Sequence, residues 1–310
     1  MQITEFMPYV FQIMAQLLHL EPNGITPPFR KMFEMLLHPA QYELRGNVPA
    51  LVELLKAYMG KPGTGPSSTL GVVVPHLQAV LGVWQKLCCS KSTEMHALNM
   101  LEVIVSSVPL KAYAQMLGQI CGILIQRLLK VKGMRFKYIF IPTFLFLIGK
   151  IGGAPVIASV EGLKSGMFAT ILSQVILPNV SKIPGQQERK KCLVGLCYLA
   201  AKTEQQMRMP AFKPVAVDVV KCIASLVSSK DPCAKVKDEE DDGTAEIAYN
   251  SNSGFSRLSF ATAKKNDPFP NVKADSALIT QSLMHLNQLV PGVINASGTS
   301  GILRGNGVRL

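Results

Sequence analysis

Apolar residues recur along this chain at helical spacing, and the sustained alternation that strands need is almost absent. Leu77, Val80, Leu81, Trp84, Leu87 and Cys88 fall on one helix face. The same face returns at Leu117, Ile120, Cys121, Leu124 and Leu128, at Phe168, Ile171, Leu172, Val175 and Ile176, and at Val215, Val219, Cys222, Ile223 and Leu226. Between successive copies lies a second apolar helix, at residues 98–108, 136–149 and 192–201. The last apolar turns of the first helices, at Leu87, Leu128, Ile176 and Leu226, are 41, 48 and 50 residues apart. The second helices close at Val108, Ile151 and Ala201, 43 and 50 residues apart. A two-helix unit repeating every ~40–47 residues, here slightly stretched, is the pattern of HEAT and armadillo arrays. Helices apolar beyond one stripe fit hairpins covered on both sides by neighbours.

The predicted fold class is therefore all-α, a HEAT-repeat α-solenoid in which antiparallel helix pairs form a superhelical array. Residues 1–290 make up about six repeats, with further helices expected at 6–20, 29–38, 48–59 and 274–290 and an exposed acidic loop near 231–243. GKPGTGPSS, at 60–68, reads as a flexible inter-helix loop. The glycine-rich tail, 291–310, is expected to lack fixed structure.

Composition narrows the chemistry. With 48% hydrophobic residues over 310 positions, the chain can build large cores. The longest apolar run, IFIPTFLFLIG, has eleven residues where a bilayer span needs about 20, and it is interrupted by Pro142 and closed by Lys150, so a buried helix is expected. MQITEFMPYV has no basic start and does not read as a secretory signal. The seven cysteines, at 88, 89, 121, 192, 197, 222 and 233, form no CxxC pair and mostly sit in apolar runs, which suits free thiols in a reducing compartment. Sequons at Asn179 and Asn295 then carry no weight.

No catalytic, metal-binding or cofactor-binding site is expected. GKPGTGPSS lacks the order of a phosphate-binding loop, and GLKSG is not a nucleophile elbow. The five histidines are never paired at ligand spacing. Asp238, Glu239, Glu240, Asp241 and Asp242 read as a solvated or partner-facing run.

Charge carries more information. The net +12 is concentrated in residues 130–230, which hold 15 basic against 4 acidic side chains. Two successive second helices open with cations: Arg135 and Lys137, then Arg189, Lys190 and Lys191. A helix N-terminus disfavours a cation by a few tenths of a kcal/mol up to ~1 kcal/mol. An acidic partner along one face of the array would compensate; screening by water is the plainer account.

Four segments carry a resemblance: MPYVFQI (7–13), RGNVPALVELL (45–55), LGVWQKL (81–87) and FSRLSFATAKKNDP (255–268). Together and in order they resemble the C-terminal third of the exportin-2 family, the importin-α re-exporters of the importin-β superfamily. The resemblance runs from Met7 to about Val290 and leaves out the 60–68 loop, the acidic-loop content and the tail. It implies a nuclear transport receptor segment that takes part in wrapping importin-α and Ran-GTP, shuttles between nucleus and cytoplasm, and catalyses nothing. It leaves contact with nuclear pore proteins open and implies neither membrane nor nucleic acid as partner. In such exporters the second helix of each repeat lines the concave face. That places Arg135, Lys137, Arg189, Lys190 and Lys191 near cargo or Ran, and Lys264 and Lys265 of the last block join them as candidate partner-binding residues. The rival readings are a general HEAT interaction scaffold and a basic nucleic-acid-binding array. The second would need exposed aromatics for stacking, whereas Trp84, Phe144 and Phe146 sit in apolar runs.

Overall fold

The computed structural model describes residues 6–131, 133–202, 213–228, 258, 267–270, 272 and 276–309. Those residues are helical, with no strand among them, and fall into two compact units: 6–115 with Leu258, and 116–228 with 267–309.

The first unit contains α1 (Met7–Leu20), α2 (Pro27–Leu36), α3 (Val48–Met59), α4 (Thr69–Val72), α5 (Leu77–Cys88), α6 (Glu94–Ser107) and α7 (Leu110–Tyr113). The expected face of α5 is its buried face, with Val80, Trp84 and Leu87 at 2% exposure or less. The layers run α1 on α3 and α3 on α6, with α5 paired to α6.

The 60–68 loop is packed, contrary to the expectation of a flexible connection. Lys61 is buried and donates to the carbonyls of His19 (3.2 Å) and Glu21 (2.8 Å), at the C-terminal end of α1. An ammonium is favoured there because the last carbonyls of a helix carry partial negative charge. The Thr69 hydroxyl accepts from the Lys61 amide at 3.1 Å, and Ile25 donates to the Ser67 carbonyl at 2.6 Å. Each buried polar group of the loop that these bonds reach is satisfied, so glycine and proline here shape a fixed path.

The second unit contains α8 (Leu117–Lys130), α9 (Met134–Ile151), α10 (Gly153–Glu161), α11 (Met167–Ile171), α12 (Gln186–Lys202), α13 (Lys213–Ser228), α14 (Ser276–Leu289), α15 (Val293–Ser297) and α16 (Ser300–Gly305). After α11 the chain winds as a π-helix over Leu172–Ile176, so the face expected at 168–176 is built from two helical forms. Pro142 does not break α9, which continues for 18 residues with every side chain from Phe140 to Ile148 buried. Phe136, Phe140 and Phe144 stand four residues apart and form a ladder with Phe168, at centroid spacings of 6.0, 5.2 and 6.4 Å. Burying each ring is worth about 1.5–3 kcal/mol, enough to offset one amide donor lost at proline. No helix among the described residues is long and apolar enough to cross a membrane.

The most extensive helix pairing is α9 with α12, and α12 also packs on α14. Gly195 makes the first crossing possible: a Cβ there would be driven into the Leu145 carbonyl oxygen and would stand 2.7 Å from its carbon.

The 291–310 tail corrects an expectation. Its helices α15 and α16 pack on α13, with Val293, Leu303 and Val308 at 2% exposure or less. Gly292 (φ +81°) and Gly298 (φ +67°) flank α15 in the left-handed region that other residues resist. The glycines serve as turn chemistry between short docked helices.

Cys121 and Cys197 are buried thiols pushed up to about 12, Cys222 is pushed up to about 11 and Tyr113 to about 12, in each case chiefly by desolvation. Folded-state values above the unfolded ones mean that this stability is fully present below the free thiol value of 9.0 and is lost as pH rises toward the folded values. Thermal melts at pH 8 and pH 11 should therefore differ by on the order of 10 °C, with the lower melting temperature at pH 11.

Candidate partner-binding surface

The cations that open α12 have their compensation inside the chain. Arg189 is 7% exposed. Its guanidinium donates to the carbonyls of Ser181 (3.2 Å), Ile183 (3.4 Å) and Leu226 (3.4 Å). Ser181 lies in the short 3-10 helix Val180–Lys182, and Ile183 follows it directly. Leu226 lies in the last turn of α13. The side chain thus carries its charge away from the positive end of its own helix and onto carbonyls at the negative ends of two others. A buried charge is tolerated when hydrogen bonds replace its water, and here they do.

Its neighbours are engaged as well. Lys191, 6% exposed, contacts the Glu188 carboxylate at 2.9 and 3.1 Å and lies 6.0 Å from the centre of the Phe146 ring. Lys190 pairs with Asp267 and donates to the Phe269 carbonyl at 3.2 Å. The Lys190 ammonium beside Asp267, reinforced by the Phe269 amide, holds that carboxyl below the usual carboxylate range.

Asp267 and Phe269 belong to a docked corner that residue-type reasoning passed over. The Phe269 ring is 2% exposed and packs 5.3 Å from Phe146, with the Lys150 ammonium 4.9 Å from its centre and 5.5 Å from that of Phe146. Burial lowers the Lys150 pKa, and Asp267 opposes the shift. The signal was present in the sequence, since the block ending in Asp267 and Pro268 runs directly into Phe269 and Lys150 follows Phe146 by four residues. Phe269→Ala should cost about 3 kcal/mol of second-unit stability and raise amide exchange in the last turns of α9. Denaturant midpoints and exchange mass spectrometry would read both, and unchanged values would show that the corner contributes nothing.

Arg135 is exposed and Lys137 half-buried in the first turn of α9. Lys264 and Lys265 lie outside the described residues, as do the acidic run 238–242 and most of the 255–265 block. Within that block Leu258 is described, and its amide donates to Gln12 Oε1 at 2.9 Å in the first unit. The structure therefore brings Lys190 and Lys191 to one corner, turns Arg189 inward, and leaves Arg135 and Lys137 on a separate helix. No group of three or more His, Cys, Asp or Glu side chains among the described residues could hold a metal ion.

The family model described as CAS/CSE protein, C-terminus, matches residues 1–300. Exportin-2 of Danio rerio is 31% identical over 291 residues, and exportin-2 of Homo sapiens is 30% identical over 291 residues. Both alignments cover 94% of this chain and 30% of the relative, so the chain spans about 30% of the length of the curated relatives it matches. The relatives are exportins, which are transport receptors and not enzymes. The solved structure titled "The exportin Cse1 in its cargo-free, cytoplasmic state" superposes with a TM-score of 0.77 at 24% identity, over 99% of this chain and 32% of that one. The shared fold is the HEAT-repeat solenoid. Family model, relatives and fold agree along nearly the whole chain, which belongs to the CAS/CSE family and corresponds to its C-terminal region.

Proposed function

We propose that this chain serves as the C-terminal segment of a nuclear export receptor that carries importin-α out of the nucleus together with Ran-GTP and shuttles between nucleus and cytoplasm. The family match over residues 1–300 carries this reading. It requires no catalysis. In an array where each helix pair contacts mainly its neighbours, small changes in packing add along the stack. Ordering the array for one ligand then lowers the cost of ordering it for a second, which couples cargo to Ran.

The partner-facing cations in this reading are Arg135 and Lys137, with Lys264 and Lys265 as further candidates. Arg189 and Lys191 hold the second unit together. Pulldowns with importin-α and GTP-locked Ran, using this chain alone and joined behind the upstream repeats of the Danio rerio relative, test the proposal. Capture by the joined protein is expected, and weak or no capture by the chain alone; absence of capture by both would sink it. Arg135→Glu with Lys137→Glu should weaken capture at least about 10-fold, roughly 1.4 kcal/mol, at an unchanged melting temperature.

A further inference from the structure

Helix α1 is apolar on two opposite sides. Phe11, Ala15 and Leu18 are buried, and α1 packs on α3. Facing away from them, Phe6, Val10, Ile13, Leu17 and Leu20 are 59%, 40%, 43%, 51% and 78% exposed. At about 100° per residue these five fall within an arc of roughly 80°. Their spacing of four, three, four and three residues is the seam of a helix that packs lengthwise against another helix. A single exposed leucine needs no explanation, but a continuous apolar stripe marks an interaction surface. Helix α1 contains no Asp, Glu, Lys or Arg to keep such a stripe solvated.

Another helix of the same molecule shows the alternative. Helix α14 exposes Ala277, Gln281, Met284 and Gln288, also four, three and four apart, and two of the four are glutamine. Repeat arrays need a polar outer face where stacking stops. Helix α14 presents a largely polar stripe, whereas α1 presents a stacking face.

We infer that the outer face of α1 is the seat of another helix pair of the same repeat type, resting on α1 as α1 rests on α3. The occupant is a hairpin whose contacting helix carries an uncharged apolar seam, of the kind the longer relatives hold ahead of the matched region. Three observations select it. The run of α6, α3 and α1 is a stack, and the seam continues it in the same direction. The relatives devote only 30% of their length to the matched segment, which the family places at its C-terminus. The seam has no cation to draw it to an anionic membrane or nucleic acid.

The test uses the whole 310-residue chain and does not depend on cargo or Ran. The helix pair that immediately precedes the matched region in the Danio rerio relative is joined ahead of Met1. The fusion should melt at least 5 °C above the parent and bind the apolar dye ANS less than half as strongly. Ile13→Asp with Leu17→Asp should abolish the gain in melting temperature in the fusion. In the parent the same pair should lower dye binding at least twofold and leave the circular dichroism unchanged. A fusion that melts with the parent and binds as much dye would overturn the inference. Sedimentation of the parent supplies a second decision: a stable dimer that the same two substitutions dissociate would overturn the hairpin as occupant in favour of a second copy of this chain. Loss of importin-α capture would leave these readouts untouched, so the two proposals fail separately.

Discussion

Gly195→Ala is expected to be the most damaging addition of a single methyl group in the second unit, costing at least about 4 kcal/mol where overpacking usually costs 1–3 kcal/mol. In an isolated helix the same change would help by about 1 kcal/mol, because glycine is a poor helix former. The sign reverses because the new Cβ meets backbone, the carbonyl group of Leu145, and not the end of a side chain that could rotate away. Relief would require α9 and α12 to separate along the most extensive helix contact of the unit. Chemical denaturation followed by circular dichroism would measure the loss. A variant as stable as the parent would show that the two helices do not cross this closely.

Arg189→Ala should cost about 3–5 kcal/mol, since it leaves the carbonyls of Ser181, Ile183 and Leu226 buried without the donor they share. Arg189→Lys should recover only part of this, because one ammonium cannot span three acceptors in the plane of a guanidinium fork. Arg135→Glu supplies the contrast: it removes a cation from the equivalent end of α9, yet the melting temperature should hold. If both substitutions left stability unchanged and lowered partner capture equally, the inward role of Arg189 would be wrong. The pair thus separates a cation that holds the fold from one that faces outward, although both open a second helix with the same apparent electrostatic cost.

Several elements were legible in the sequence almost residue for residue. Helices α3 and α5 have the bounds that their apolar periodicity and end signals indicate, because burial on one side of a helix must repeat every 3.6 residues. The 45–55 and 255–268 blocks pointed to the family for a different reason: few sequences place those side chains in that order. Composition misled at two places. Glycine and proline in the 60–68 loop, and glycine in the tail, were read as freedom. Lys61, Ile25 and Ser67 bind the first through contacts 40 or more residues apart, and α13 holds the second. Charge misled at a third, where Arg189, Lys190 and Lys191 were assigned to a partner's surface.

By itself the sequence determined that this protein is built from paired helices in a repeating array, and which family it belongs to, because both are written in local periodicity and in short ordered motifs. Only the tertiary structure decided which cations face outward, where two helices come close enough to require a glycine, and which apolar stripe remains uncovered. Those outcomes depend on partners distant in the chain: Leu226 lies 37 residues from Arg189, and Phe269 lies 79 from Lys190. Spacing along a helix cannot encode what stands opposite it.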